Sequence, residues 1–176
     1  MSNINANYIK SIQKQFRYYK SLGNKTIDSL SEEQLHWKYN DESSSAATII
    51  KHIVGNMFSR WTNFYTEDGE KEWRQRDAEF TSTTKTKEEL LVHWEDGWRC
   101  LFNIIDNLNE ENLTKIIKIR NEDHTVIDAI HRQLAHYPYH VGQLIYIAKM
   151  LKNKDWESLS IPKNKSDEFN KNAFNK

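Results

Sequence analysis

The sequence predicts an all-α protein built as a four-helix bundle. Apolar residues recur at alternating spacings of three and four in four long segments, which is the period of one helix face. The 176 residues include only five Gly and two Pro, too few to favour a turn-rich all-β fold. A chain of this length can form a single domain with a substantial core, and one domain over residues 1–176 is expected.

The first long helix is expected over residues 5–22, where Ile9, Ile12 and Phe16 follow the helical spacing. Gly23 comes directly after this stretch and is a plausible helix stop. The pattern therefore predicts a helix of about five turns at the start of the chain.

A short helix is expected within residues 26–36, because Ser31 and Gln34 have the spacing of a capping box. The second long helix is expected over residues 45–65. Beside its apolar stripe runs a more polar one that contains His52. This histidine is therefore expected at the edge of the core, where either a ligand or an ordinary boundary residue is found.

The segment 66–86 has no helical period, and it is long for a loop in a compact domain. If the helices on either side run parallel, the segment must travel the ~30 Å length of the bundle as a crossover. A solvated, salt-bridged loop is the simpler interpretation of its charged residues. The alternative is that they pair with one another or line the mouth of a pocket. These residues are Arg74, Arg76, Asp77 and Glu79.

The last two long helices are expected over residues 87–108 and 126–152. Between them, the β-branched residues and polar turn of 114–125 predict a small hairpin or extended excursion. Thr125 is a suitable cap for the last helix. Pro138 predicts a kink within it, because proline removes one backbone hydrogen bond.

The last ~20 residues are rich in Lys, Asn and Ser and are expected to form a partly docked polar tail. The formal net charge of zero argues against a nucleic-acid partner. No run reaches the ~20 apolar residues of a membrane helix, so no membrane partner is expected. One cysteine, Cys100, cannot form an internal disulfide. With no signal-like start, a cytoplasmic location is expected.

Two histidines, His136 and His140, are four residues apart in the last helix and therefore lie on one face, one turn apart. They could ligate one metal ion, with His52 as the best candidate for a third ligand. Seven histidines give about 0.3 accidental pairs at this spacing, so the spacing alone is weak. The alternative is half-buried histidines that hydrogen-bond to backbone or Tyr.

The chain also resembles the DinB/YfiT-like superfamily of metal-binding four-helix bundles, and within it a subfamily of uncharacterised bacterial proteins. The resemblance implies an up-down-down-up bundle with a long crossover between the second and third helices. It also implies a metal held by His52, His136 and His140. It rests on the blocks 49–61, 68–80 and 129–143 and on the tail segment 156–163.

Superfamily members with assigned activity include thiol-dependent S-transferases and an isomerase. The resemblance therefore implies a metal-dependent transferase that uses a low-molecular-weight thiol on a small electrophilic substrate. Zinc is the first choice of metal, with nickel, iron or cobalt as alternatives. A non-catalytic, stress-related metal-binding bundle and a metal-water hydrolase are the alternative functions, and a homodimer is expected.

Three neutral imidazoles leave a metal with an open coordination position, as in catalytic zinc sites. Other side chains are expected to orient the ligand rings through their second nitrogen. The candidates are Asn56, Gln143, Tyr137 and Tyr139. Arg76 or Arg132 could bind a substrate carboxylate.

Overall fold

The computed structural model describes residues 4–81, 83 and 85–174, and this part of the chain is mainly helical, which confirms the all-α class. Each of the four predicted long segments contains one long helix. Single 3-10 turns occur at Glu110–Asn112 and Asn153–Asp155. In chain order the elements are α1 (Ile4–Ser29), α2 (Glu32–His36), α3 (Ala46–Trp61), α4 (Arg76–Glu79), α5 (Lys87–Ile105), β1 (Ile116–Ile119), β2 (Glu122–Thr125), α6 (Val126–Lys152) and α7 (Ser166–Phe174).

The four long helices meet at a cluster of buried aromatic rings. Each helix contributes one ring, namely Phe16 from α1, Trp61 from α3, Trp98 from α5 and Tyr137 from α6. The centroid of the Phe16 ring lies 6.3–6.5 Å from those of the other three rings. Such pairs stabilise the core beyond the area they bury. The main packing pairs are α3 with α5 and α1 with α6.

Two of the polar groups in this cluster, those of Trp61 and Tyr137, belong to a short series of hydrogen bonds, whereas the buried Nε1 of Trp98 has no hydrogen-bond partner among the described residues. Trp61 Nε1 donates to the Tyr137 hydroxyl at 3.0 Å, and that hydroxyl donates to Asn56 Oδ1 at 3.0 Å. Burial raises the pKa of Tyr137, so its hydroxyl stays protonated and can donate. These two hydrogen bonds link α3 to α6 about one turn away from the candidate ligands.

Helix starts follow the local capping signals. The capping box of Ser31 with Gln34 is present and begins α2, as predicted. Thr125 accepts from the Asp128 backbone N–H and begins α6 at the predicted residue. These short-range signals depend on neighbouring residues alone, which is why the sequence locates them well.

Helix ends differ more from the predictions. α1 continues through Gly23 to Ser29 instead of stopping at residue 22. A Cβ on Gly23 would lie 2.4 Å from a ring carbon of Trp94, so this glycine allows α1 and α5 to approach closely. α3 ends at Trp61 instead of residue 65, and α5 ends at Ile105 instead of 108.

The helix α6 occupies residues 126–152 as predicted, and it continues through Pro138 without interruption. The kink at this proline stays a prediction. The segment 66–86 is not wholly irregular, because α4 forms one turn within it. In the tail, Trp156 and Leu159 pack against the core, whereas the unpredicted α7 is exposed along its length.

The predicted hairpin at 114–125 is present as the antiparallel pair β1–β2. Arg120 and Asn121 form its turn with positive φ values of 54° and 62°. The carboxylate of Asp68 accepts both backbone N–H groups of this turn, at 2.8 and 2.7 Å. The hairpin is thus attached to the 66–86 segment, which brings Arg120 towards α3.

Within the described residues, no helix is long and apolar enough to cross a membrane.

The Trp61–Tyr137–Asn56 chain generates a stability prediction. Tyr137→Phe removes the hydroxyl and leaves a buried N–H and a buried carbonyl oxygen unpaired, so we expect a loss of about 2 kcal/mol in the free energy of unfolding. Urea denaturation followed by far-UV circular dichroism measures it. Tyr18→Phe at an exposed site is the control and should change stability by less than ~0.5 kcal/mol. Equal stability of the two variants would contradict the assignment.

Candidate metal centre

The three histidines named from the sequence converge in the structure. His52 lies on α3, while His136 and His140 lie one turn apart on α6. The Nε2 atom of His136 is 3.3 Å from that of His52 and 3.0 Å from that of His140. One nitrogen of each ring therefore faces the same small volume, and all three ligand atoms lie within 4.8 Å of one another.

The second nitrogen of each ring faces an oxygen acceptor. His52 Nδ1 is 2.9 Å from Glu79 Oε2, and His140 Nδ1 is 2.7 Å from Gln143 Oε1. His136 Nδ1 makes a longer contact of 3.4 Å with Gln133 Oε1. Because these oxygens only accept, we assign the ring proton to Nδ1 in each histidine. The lone pairs of the three Nε2 atoms then point towards one another.

This arrangement fits a divalent metal ion. A tetrahedral ion that binds imidazole nitrogens at ~2.0–2.1 Å holds them about 3.3–3.4 Å apart. The two measured Nε2 separations, 3.3 and 3.0 Å, are close to that spacing. Three converging lone pairs repel each other unless a cation lies between them. The three histidines are therefore placed where they could hold a metal ion.

The rings of His136 and His140 are held in the neutral form that metal binding requires. Burial, together with the charges of His140, His52, Arg132 and Arg74, lowers the pKa of His136 to about 3. Burial also lowers the pKa of His140. At neutral pH these imidazoles carry no proton on Nε2, and a metal need not displace one.

Glu79 and Arg74 form a buried ion pair behind His52. Arg74 donates from Nε to Oε1 at 2.8 Å and from Nη2 to Oε2 at 2.9 Å, and its side chain is only 2% exposed. The interpretation of these two residues as part of a solvated loop is therefore wrong. Burial raises the pKa of Glu79, but the hydrogen bonds from His52 and Arg74 lower it further, so the carboxylate is ionised beside His52.

The segment around α4 can approach His52 closely because α3 has a residue without a side chain, Gly55, at the point of contact. A Cβ on Gly55 would lie 2.4 Å from Glu79 Oε1, so only glycine leaves space for the carboxylate. The Phe80 ring packs on the His52 imidazole with centroids 4.5 Å apart. Arg76 and Asp77, in contrast, are exposed and only 3.7 Å apart, as expected for a solvated pair.

The residues proposed from sequence to orient the ligands divide into two groups. Gln143 contacts His140 as predicted, and Tyr139 acts one step further out by accepting from Gln143 Nε2 at 3.1 Å. Asn56 and Tyr137 hydrogen-bond to each other and not to a ligand ring nitrogen. Those two residues therefore stabilise the core and do not orient a ligand directly.

Sequence reasoning missed Gln133 and Glu79 as partners of the ligands. Gln133 stands three residues before His136, and Gln143 stands three after His140, so the helical spacing could have identified Gln133. Glu79 lies 27 residues from His52, and no local spacing connects them. Only the folding of the 66–86 segment over α3 brings Glu79 there.

Two cavities reach the histidine cluster from different sides. One of about 590 Å³ is lined by His52 and His136, and the other of about 660 Å³ by His52 and His140. Both have the size of small-molecule sites. A small molecule in either cavity would therefore lie beside the histidine cluster.

The Glu79–His52 contact predicts a role in metal affinity. Glu79→Gln keeps the side-chain shape but removes the charge, so we expect zinc affinity to fall about 10- to 100-fold. Competition with a fluorescent zinc chelator measures it, and circular dichroism checks that the helices remain. Asp77→Asn removes an exposed carboxylate from the same segment and is the matched control. Equal affinity of the two variants would show that Glu79 does not orient His52.

The gap at Gly55 predicts a second effect on the site. In Gly55→Ala the new methyl group displaces the Glu79 carboxylate, and we expect weaker zinc binding in the same competition assay. Gly142→Ala is the matched control, because nothing lies within 4 Å of its Cβ position. That variant should keep zinc affinity and gain up to ~1 kcal/mol of stability from helix propensity. Undiminished affinity in Gly55→Ala would argue against the close approach.

One of the comparisons with known proteins identifies a family. No curated protein matches the chain. A family model described as "Protein of unknown function (DUF1572)" matches residues 3–165, which include all three histidines, Glu79 and both glutamines. Since the match extends over most of the 176 residues, the chain belongs to the DUF1572 family.

Proposed function

We propose that this protein is a DinB-like, divalent-metal-dependent transferase that joins a low-molecular-weight thiol to a small electrophilic substrate. The observation that carries the proposal is the convergence of three Nε2 atoms whose rings are each held through Nδ1. Three neutral ligands leave a coordination position open, as in catalytic sites. A divalent cation there would lower the pKa of a thiol or water in that position.

The protein side chains have distinct parts in this proposal. His52, His136 and His140 supply neutral nitrogens, so the charge of the cation is not cancelled at the site. The Glu79 carboxylate holds the proton on His52 Nδ1 and increases the basicity of its Nε2. Gln143 orients His140 in the same way without adding charge.

The nucleophilic sulfur would come from outside the chain. The one cysteine, Cys100, is half-buried, and burial raises the pKa of its thiol. It is also absent from the described residues that line the two cavities at the histidines. A small thiol would lose its proton at the site, and its sulfur would bond to the substrate carbon as the leaving group departs with the electron pair.

Several finer features belong to the same proposal. Zinc is the first candidate, and nickel, iron and cobalt also accept imidazole ligands. The long helices would form an up-down-down-up bundle with 66–86 as the crossover. A homodimer and a cytoplasmic location complete the proposal. The resemblance to DinB-like proteins supports the metal and the bundle topology, and the single cysteine supports the cytoplasmic location.

The first test is the metal content of untagged protein by elemental mass spectrometry. We expect about one equivalent of metal in wild type and almost none in His136→Ala/His140→Ala, because a single remaining imidazole binds weakly. His131→Ala, an exposed histidine on the same helix, is the control and should retain the metal. Wild-type protein that cannot be loaded with zinc, nickel, iron or cobalt would contradict the proposal.

The second test is thiol-dependent turnover of the metal-loaded protein. Cysteine, coenzyme A and glutathione are each offered with monochlorobimane, whose thioether product fluoresces. We expect a rate above the uncatalysed reaction that disappears in the double histidine variant. Bound metal without turnover of any thiol would favour the non-catalytic metal-binding bundle.

A further inference from the structure

The two cavities at the histidine cluster differ in chemistry. The cavity on the His140 side is lined largely by aromatic and apolar side chains, including Trp37, Phe80, Tyr146 and Met150. The cavity on the His136 side is lined by five arginines, namely Arg60, Arg74, Arg76, Arg120 and Arg132. Among the described residues, no Asp or Glu lines this second cavity.

Three of the arginines are paired with carboxylates of the protein. Arg74 pairs with Glu79, and Arg60 Nη2 donates to Glu70 Oε2 at 2.9 Å. Arg120 Nε donates to the same Glu70 oxygen at 3.1 Å. Two carboxylates thus pair with three guanidinium groups. The net charge of these five groups is therefore positive even without a cation at the histidine cluster.

The remaining two arginines have guanidinium groups without a strong partner. Arg132 is exposed, and its side chain has no hydrogen bond or ion pair among the described residues. Arg76 lies over the Phe80 ring at 5.2 Å, and its nearest carboxylate, on Asp77, is 3.7 Å away and fully solvated. Arg132 stands one turn before His136 on α6, whereas Arg76 approaches from α4.

We propose that the arginine-lined cavity binds an oxyanion, a carboxylate or phosphate group of the small-molecule substrate, through Arg132 and Arg76. Guanidinium groups donate two parallel hydrogen bonds to either kind of oxyanion. The bound anion also offsets the positive balance of the cavity. That the oxyanion belongs to the substrate rests on the proposed function, whereas the binding site itself rests only on Arg76 and Arg132 in the arginine-lined cavity.

Isothermal titration of the metal-free protein tests this binding. A chelating resin removes the metal, because a soluble carboxylate chelator would compete for the site. Succinate and inorganic phosphate are the probes, and succinamide is the neutral analogue of succinate. Arg76→Gln/Arg132→Gln is compared with Arg17→Gln/Arg99→Gln, which removes the same charge from exposed residues elsewhere.

We expect wild type to bind succinate, phosphate or both, and succinamide much more weakly. Affinity for the bound anion should fall tenfold or more in Arg76→Gln/Arg132→Gln and change by less than about threefold in the control. Which anion binds identifies the oxyanion. Absence of anion binding, equal binding of succinamide, or an equal loss in both double variants overturns the proposal. Because no metal or turnover is involved, this result is independent of the transferase assay.

Discussion

The hydrogen bond between His52 and Glu79 connects the fold to the candidate metal centre. His52 lies on α3, and Glu79 lies at the end of α4, the one helical turn among the described residues of the 66–86 segment. An ionised carboxylate in this position would be costly to bury alone. Arg74 compensates with two hydrogen bonds to it, so the imidazole, carboxylate and guanidinium form one unit. The orientation of the histidine therefore depends on the packing of Glu79 and Arg74 against α3.

The charged groups beyond this unit extend the same connection to the hairpin. Glu70 joins Arg60 of α3 to Arg120 of the hairpin turn, and Asp68 holds the backbone of that turn. The Arg60 side chain is buried and Glu70 is partly buried, whereas Arg120 is exposed. Ion pairs with a buried member add little net stability, since desolvation offsets their attraction. Removing one member is costly, however, because its partner is left buried and unpaired. The network therefore specifies where the segment lies more than it strengthens the fold.

The helical part of the fold could be read from the sequence because its signals are local. The spacing of Ile9, Ile12 and Phe16 predicts a helix face, and the Thr125 cap locates the start of α6 to the residue. Helix ends were less predictable. Glycine is a residue that commonly ends a helix, but at position 23 it lies inside α1, because the close packing of Trp94 leaves no room for a side chain there. Tertiary packing overrides a local preference of about 1 kcal/mol in such a case.

By itself the sequence determined the four helical segments, the hairpin and the pairing of His136 with His140 on one helix face. Each of these follows from backbone periodicity or from neighbours within four residues. The tertiary structure alone decided that His52 meets this pair, that Glu79 lies behind it and that five arginines share one cavity. His52 is 27 positions from Glu79 and 84 positions from His136, and only the packing of the helices and of the 66–86 segment brings such distant residues together.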